Sequence, residues 1–397
     1  MGKLGFCGET IVLPRFRGSQ LSFNITIRSV KGVTSMTIYN ALQNRQLPAL
    51  PTETDGTVCR KAMMEVLCRE EYGRLLPAGE VSAEELSTDK SFCAGKAPLS
   101  KVRLTISLPQ GEFSFPISCV LPKGNPRCPV FLLINFRDDV PDRYLPSEEL
   151  VDGGFGVVSF CYKDVTSDDG DFSDGLAGVW YEGRERHGDD PGKIALWAWA
   201  AMRVMDYIQT LGGVDAGNVT VVGHSRLGKT ALLAGGLDER FAGVISNNSG
   251  CSGAAISRGN RGETIAVICD RFPYWFCPNY RRYAGNETAM PFDQHYLLAL
   301  TAPRRLYVAS SAEDLWADPT GEFLGAAAAS EAWEKKGEVG LICPDRLPET
   351  GEVFAQGMIG YHVRPGRHYF SRYDWQRYME FNGVVANGNG YFLSILD

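Results

Sequence analysis

A serine stands at a sharp junction between a predicted strand and a predicted helix. Residues 219–222 form a short apolar run, which is typical of a buried parallel strand. Residues 230–234 form the apolar body of a helix, and Ser225 lies between the two with almost no loop. Such a turn lifts a serine above the edge of a sheet and points backbone N–H groups at the same space. The stretch therefore predicts a nucleophile for ester hydrolysis.

The same stretch also satisfies a phosphate-binding pattern. Residues 223–230 read G-H-S-R-L-G-K-T, which matches the P-loop pattern G-x-x-x-x-G-K-T. A phosphate cradle favours small, flexible residues inside the loop, whereas His224, Arg226 and Leu227 stand there. Nucleotide binding is therefore a remote alternative. A third interpretation is a turn that starts a helix and has no chemical role.

A serine nucleophile needs an acid and then a histidine later in the chain. The histidine takes the serine proton, and the acid holds the imidazole in the correct tautomer. His368 lies in the loop after the last predicted strand, where an α/β-hydrolase places its base, and is favoured over His362 inside that strand. Asp314 or Glu313, after the preceding strand, fills the acid position. The other three histidines lie beside the serine, upstream of it or in a helical stretch: His224, His187 and His295.

Alternating strands and helices must position these residues. Short, continuously apolar runs that alternate with helical stretches predict a doubly wound, mostly parallel sheet between two layers of helices, a three-layer αβα sandwich. Ligands bind such sheets outside the carboxyl ends of the strands. The predicted strands are residues 130–135, 156–160, 219–222, 244–246, 306–310 and 358–363, with a helix at 194–211 and a preceding hairpin at 102–108 and 113–121.

The domain organisation is predicted to be simple. Residues 59–397 form a single catalytic domain, beginning with a helix at 59–72. Residues 1–58 are interpreted as an N-terminal extension that packs on this domain, with a strand at 21–27. The Asp- and Gly-rich residues 163–190 are interpreted as a solvated insertion rather than a metal loop, because the ligand register is absent.

Composition excludes several classes of partner. The chain has 397 residues with a net charge of −7, and it contains no basic tract, so nucleic acid and anionic membranes are poor partners. The sequence contains no run of 18 apolar residues, so no membrane-spanning helix is expected. The eleven cysteines form no C-x-x-C pair, which argues against a zinc site or a disulfide framework. Residues 1–16 lack the apolar core of a signal peptide, so a cytoplasmic protein with reduced thiols is expected.

The serine turn also resembles that of a known family. Gly-His-Ser-Arg-Leu-Gly-Lys, residues 223–229, is similar to the G-C/H-S-R-x-G-K elbow of the glucuronoyl esterases, carbohydrate esterase family 15. Both place the second glycine, here Gly228, one position later than the usual G-x-S-x-G elbow does. The resemblance covers roughly residues 40–390 and looks like the bacterial branch of the family. Further matches in family order are residues 249–255, 262–264, 272–276, 291–304 and 316–319.

The resemblance implies a fold, an activity and residue roles. It implies an α/β-hydrolase without a cofactor or metal that cleaves esters between the 4-O-methyl-glucuronic acid of xylan and lignin alcohols. An acetyl or feruloyl esterase acting on oligosaccharides is the alternative. Ser225 would be the nucleophile, His368 the base and Arg226 an oxyanion donor. The implied substrate-binding residues are Lys229, Glu263, Arg271 and Trp316.

The chain departs from many family members at the acid. Those members carry Glu in an E-S-G segment, where this chain has Asn248, and an amide cannot stabilise an imidazolium as a carboxylate does. Other bacterial members place the acid after the later strand, and the spacing to Trp316 then favours Asp314 over Glu313. A small-molecule or oligosaccharide ester is the expected partner, and the oligomeric state stays open.

Overall fold

One mixed sheet organises the part of the chain that the structure describes, residues 36–386 of a computed structural model, with side chains to residue 383. The predicted strand at 21–27 lies outside the described residues. The strands are β1 (Glu80–Asp89), β2 (Leu99–Leu108), β3 (Gly111–Val120), β4 (Cys128–Asn135), β5 (Gly156–Cys161), β6 (Val214–His224), β7 (Gly243–Asn247), β8 (Arg305–Ser311), β9 (Val353–Phe354) and β10 (Ile359–Arg364).

Helices connect most of these strands. The α-helices are α1 (Ile38–Gln43), α2 (Arg60–Leu67), α3 (Ser147–Asp152), α4 (Tyr162–Val165), α5 (Gly175–Tyr181), α6 (Lys193–Ile208), α7 (Arg226–Leu237), α8 (Ile265–Arg271), α9 (His295–Ala299), α10 (Pro319–Ala329), α11 (Glu331–Glu334) and α12 (Arg372–Ala386). Short 3₁₀ segments lie at Cys93–Gly95, Pro278–Tyr283 and Glu287–Ala289, and a π-helical turn follows α2 at Cys68–Tyr72.

The strand order is β1-β2-β3-β5-β4-β6-β7-β8-β10-β9. The six strands from β5 to β10 in this order are parallel to one another. The β1-β2-β3 meander and the short β9 add antiparallel edges. The predicted hairpin is thus β2 and β3, and the carboxyl ends of β6, β7, β8 and β10 meet at one edge of the sheet.

Helices cover both faces of the sheet. On β4, Val130 and Leu132 belong to a large apolar core with α6, α7, α9 and α10, whereas Phe131 and Leu133 belong to a smaller core with α3 and α12. Because successive strand residues point to opposite faces, a strand covered on both sides must be continuously apolar. The structure therefore confirms the predicted three-layer sandwich with a mostly parallel sheet.

The described part of the N-terminal stretch contributes to the larger core. Ala41 of α1, Leu50 and Val58 are buried there. Whether residues 1–58 act together as an extension stays a prediction, because residues 1–35 lie outside the described part of the chain.

Candidate active site

Ser225 lies in a one-residue turn between β6 and α7. Strand β6 ends at His224 and helix α7 begins at Arg226, while Ser225 itself has φ 58° and ψ −129°. This left-handed backbone is strained for a residue with a side chain, and such strain is typical of a nucleophile elbow. Gly223 is required because a Cβ there would lie 1.9 Å from the carbonyl oxygen of Leu227. A single linking residue leaves no loop that could wrap a phosphate, so the structure does not support the P-loop alternative.

Asp314 and His368 come from the ends of two neighbouring strands. Asp314 follows β8 and His368 follows the adjacent parallel strand β10, and Nδ1 of His368 lies 2.6 Å from Oδ2 of Asp314. The Asp314 side chain is 5% exposed and the His368 side chain 43% exposed. A carboxylate on Nδ1 leaves Nε2 as the ring nitrogen that can take a proton from a hydroxyl. The structure thus brings the predicted acid and base together.

The imidazole of His368 lies next to the elbow. Its ring centroid is 4.5 Å from that of His224, the residue that precedes Ser225. His224 is itself buried, and its Nδ1 lies 2.6 Å from Oδ1 of Asn247. Burial lowers the pKa of His224 to about 3, so this neighbour stays neutral. His224 is therefore a buried, neutral neighbour of the candidate base.

The alternative acid and base lie elsewhere. Glu313 is exposed and accepts a hydrogen bond from the backbone N–H of Gly366 at 3.2 Å. His362 is buried inside β10, with Nε2 at 2.9 Å from Oδ1 of Asp374 and Nδ1 at 3.0 Å from the Tyr307 hydroxyl. Both ring nitrogens of His362 are thus engaged within the core, which fits a structural role.

Asn248 donates to the same carboxylate oxygen that His368 contacts. Its Nδ2 lies 3.0 Å from Oδ2 of Asp314, and its Oδ1 accepts a hydrogen bond from the Ser311 hydroxyl at 3.2 Å. Burial of the Asp314 carboxylate by itself raises its pKa, but the hydrogen bond and the electrostatic attraction of His368, together with the hydrogen bond from Asn248, outweigh burial and hold that pKa below its ordinary value. The acid is therefore kept ionised.

The guanidinium of Arg226 is held on two sides. Nη1 donates to Oδ2 of Asp168 in an ion pair, and the guanidinium carbon lies 4.9 Å from the ring centroid of Trp275. The Arg226 side chain remains 27% exposed. Sequence reasoning missed Asp168, which stands in the stretch interpreted as a solvated insertion. That interpretation is wrong for Asp168, because its side chain is only 7% exposed.

Lys229 and Glu263 lie below the surface. Nζ of Lys229 donates to the carbonyl oxygens of Ser249 and Cys251, and both Lys229 and Glu263 are buried. Burial lowers the pKa of Lys229, and the charge of Glu263 opposes this shift. Lys229 thereby ties α7 to the segment that follows β7.

Arg271 and Trp316 form an exposed rim. The Trp316 side chain is 50% exposed, and the guanidinium carbon of Arg271 lies 5.7 Å from its ring centroid. The Trp316 carbonyl accepts a hydrogen bond from the backbone N–H of Glu263 at 2.9 Å. The structure therefore brings three of the four predicted substrate-binding residues into one region.

The described part of the chain contains neither a cluster of metal ligands nor a helix that could span a membrane. Within residues 36–386, no group of His, Cys, Asp and Glu side chains is arranged to hold a metal ion. In the same range, no helix has the length and apolar character needed to cross a membrane.

A serine elbow and an acid–histidine pair at the carboxyl edge of a mostly parallel sheet define the class as an α/β-hydrolase. A family model described as glucuronyl esterase of fungi matches residues 104–337. A solved glucuronoyl esterase from Solibacter usitatus superposes with a TM-score of 0.78 and 33% identity, covering 85% of this chain and 97% of that one. The chain belongs to the glucuronoyl esterase family, which confirms the resemblance.

Two curated relatives add functional names. A carbohydrate esterase from an unknown prokaryotic organism is 42% identical over 236 residues, 59% of this chain and 54% of its own length. A 4-O-methyl-glucuronoyl methylesterase from Sodiomyces alcalophilus is 32% identical over 198 residues, 47% of this chain and 39% of its own length. The matched part of this chain thus spans about half the length of these relatives or less.

Proposed function

We propose that this chain is a serine carboxylesterase that hydrolyses esters of glucuronic acid or 4-O-methyl-glucuronic acid in fragments of xylan or of lignin–carbohydrate material. The single observation that carries the proposal is the 2.6 Å contact between Nδ1 of His368 and Oδ2 of Asp314 beside the Ser225 elbow. Family membership and the name of the Sodiomyces relative support glucuronic acid as the acid component of the ester substrate.

The reaction follows from these side chains in two stages. His368 takes the proton of the Ser225 hydroxyl as its oxygen attacks the ester carbonyl, and Asp314 stabilises the imidazolium. The carbonyl oxygen gains negative charge, which the Arg226 guanidinium stabilises. His368 then protonates the departing alcohol and an acyl-enzyme remains on Ser225. Water, deprotonated by His368, attacks that ester and releases the uronic acid and the free serine.

Four residues are proposed to bind the sugar. An ammonium has three N–H donors, and Lys229 uses two of them on the carbonyls of Ser249 and Cys251, which leaves one for a sugar hydroxyl. Glu263 would accept from a second hydroxyl. Trp316 and Arg271 would flank the ring from the rim, where the indole is half exposed.

A probe and a substrate panel test the proposal. A fluorophosphonate should label the wild type and the control variant Ser107→Ala, which changes an exposed serine on β2, but not Ser225→Ala. The wild type should hydrolyse a benzyl glucuronate ester faster than acetylated xylo-oligosaccharides. Faster deacetylation, or equally fast feruloyl release, would replace this proposal by the acetyl or feruloyl esterase alternative. ATP binding that Lys229→Ala abolishes, without any labelling, would contradict a hydrolase altogether. The cytoplasmic location stays a prediction.

A further inference from the structure

Asp168 is a buried carboxylate that accepts hydrogen bonds from three side chains. It lies between α4 and α5, in the segment that follows β5. Its Oδ1 accepts from Nε1 of Trp275 at 2.7 Å, and its Oδ2 accepts from the Tyr162 hydroxyl at 2.8 Å and from Nη1 of Arg226. A buried charge is costly unless it is paired and hydrogen-bonded, and these three donors meet that condition.

The segment that carries Asp168 is itself anchored. The ammonium of Lys193, fully buried at the start of α6, donates to the hydroxyls of Thr166 at 2.8 Å and Ser167 at 3.2 Å. The carbonyl oxygen of Asp168 accepts a hydrogen bond from the Tyr274 hydroxyl at 3.0 Å. The position of the carboxylate is therefore set by the fold before any ligand binds.

Trp275 links the carboxylate to the guanidinium. Its indole N–H donates to Asp168, and its ring faces the Arg226 guanidinium carbon at 4.9 Å. The hydrogen bond to Asp168 thus fixes the position of one guanidinium nitrogen, and the contact with the Trp275 ring restricts the orientation of the guanidinium group. A long side chain that is 27% exposed would otherwise sample several rotamers.

We propose that Asp168 is a positioning residue that preorganises Arg226 for the oxyanion of the reaction, an inference that rests on the function proposed above. Electrostatic catalysis needs donors that are already aimed at the developing charge. Asp168 supplies this aim, and its hydrogen bonds from Tyr162 and Trp275 hold the carboxylate in place.

A double-mutant cycle on kcat tests this role. Asp168→Asn should lower kcat by about 10- to 100-fold, less than the loss of a whole oxyanion donor, with a change in KM below about threefold. In an Arg226→Ala background the same substitution should cost nothing further, because the group that it positions is absent. A merely structural role would instead give the same loss in both backgrounds together with a lower melting temperature.

The controls separate this proposal from the proposed function. Asp171→Asn removes an exposed carboxylate of the same segment and should leave kcat unchanged. Within residues 36–383, the hydrogen bonds that this carboxylate accepts all come from Ser173. If Ser225→Ala keeps activity, the proposed function fails; if Ser225→Ala is inactive but Asp168→Asn matches the wild type, only the role of Asp168 fails. Should Asp168→Asn not fold, Trp275→Phe removes the N–H donor and keeps a ring, and its kcat loss must likewise vanish in the Arg226→Ala background.

Discussion

Asn248 and His368 contact the same oxygen of Asp314, at 3.0 Å and 2.6 Å. The predicted acid that follows β8 therefore contacts Asn248, the position at which the family resemblance places the acid of many members. An amide at position 248 donates a hydrogen bond to Asp314, whereas a carboxylate there would repel it. The two positions are therefore coupled: when residue 314 carries a carboxylate, residue 248 must supply a hydrogen-bond donor and not a second negative charge.

The first prediction concerns the acid. Asp314→Asn should lower kcat by up to about four orders of magnitude, as the corresponding change does in serine proteases, because the imidazole loses the partner that sets its tautomer. The measurement is kcat on one activated ester. Glu313→Gln is the matched control and should be nearly silent, since Glu313 contacts the loop backbone at Gly366 instead. A crippled Glu313→Gln variant would move the acid to its neighbour.

The second prediction exchanges the two ends of one hydrogen bond. Asp314→Asn combined with Asn248→Glu should recover part of the lost kcat, because the new carboxylate can accept from the imidazole while Asn at position 314 donates to it. Asn248→Gln in the Asp314→Asn background is the control, since it lengthens the side chain without adding charge. No recovery in the double variant would show that the end of β7 cannot present an acid to His368.

The third prediction separates two histidines of the last strand and loop. His368→Ala should lower kcat by at least about three orders of magnitude and leave the melting temperature nearly unchanged, because the serine loses its base while a half-exposed ring is removed. His362→Ala should do the reverse and destabilise the fold, because it takes the hydrogen-bond partner from the buried Tyr307 hydroxyl, removes one of the partners of Asp374 and leaves a cavity. An inactive but fully stable His362→Ala variant would contradict this assignment.

The sequence predicts most of the site because its signals are local. The elbow is a contiguous motif, and the loops after two parallel strands must meet at one edge of the sheet, so Ser225, His368 and either Asp314 or Glu313 could be proposed from their order, and the family resemblance then favoured Asp314. The strand β1 could not be predicted, because its residues are nearly all exposed and no apolar alternation marks it.

Contacts between distant loops could not be predicted. Asp168 meets Arg226 and Trp275 across 58 and 107 positions of the chain, and no spacing in an Asp-rich stretch marks one carboxylate as buried. The burial of Lys229 could not be predicted from the sequence for a related reason. A lysine on the first turn of a helix is usually solvated, and only the path of residues 249–251 over α7 encloses it.

The fourth prediction concerns the pH dependence of stability. Glu322 on α10 is buried, accepts a hydrogen bond from the backbone N–H of Gly250 at 2.9 Å, and pairs with the Ser310 hydroxyl at 2.7 Å. Burial raises its pKa from the ordinary value of 4.5 to about 8. Between these values the folded state keeps a proton that the unfolded state releases, so this group makes the free energy of unfolding fall as the pH rises.

Glu322→Gln should remove that dependence. The variant should gain stability relative to the wild type as the pH rises from 5 to 8.5, because glutamine keeps the shape and carries no charge to bury. Urea unfolding of both proteins at the two pH values gives the comparison, with the exposed Glu334→Gln as the control that should track the wild type. A parallel loss of stability in wild type and Glu322→Gln would place the pH dependence in other groups.

The last prediction divides the roles of two neighbouring cations on α7. Arg226→Ala should lower kcat by about two to three orders of magnitude with little change in KM, the effect of one lost oxyanion donor. Lys229→Met should raise KM more than it lowers kcat, since a contact to a sugar hydroxyl exists in the ground and transition states alike. Methionine is preferred to alanine because it fills the buried volume, but the carbonyls of Ser249 and Cys251 lose their donor, so the melting temperature should also fall. Lys229→Arg retains the charge and serves as the control for that loss. If both cation variants change kcat and KM in the same proportion, the division between oxyanion donor and sugar-binding residue does not hold.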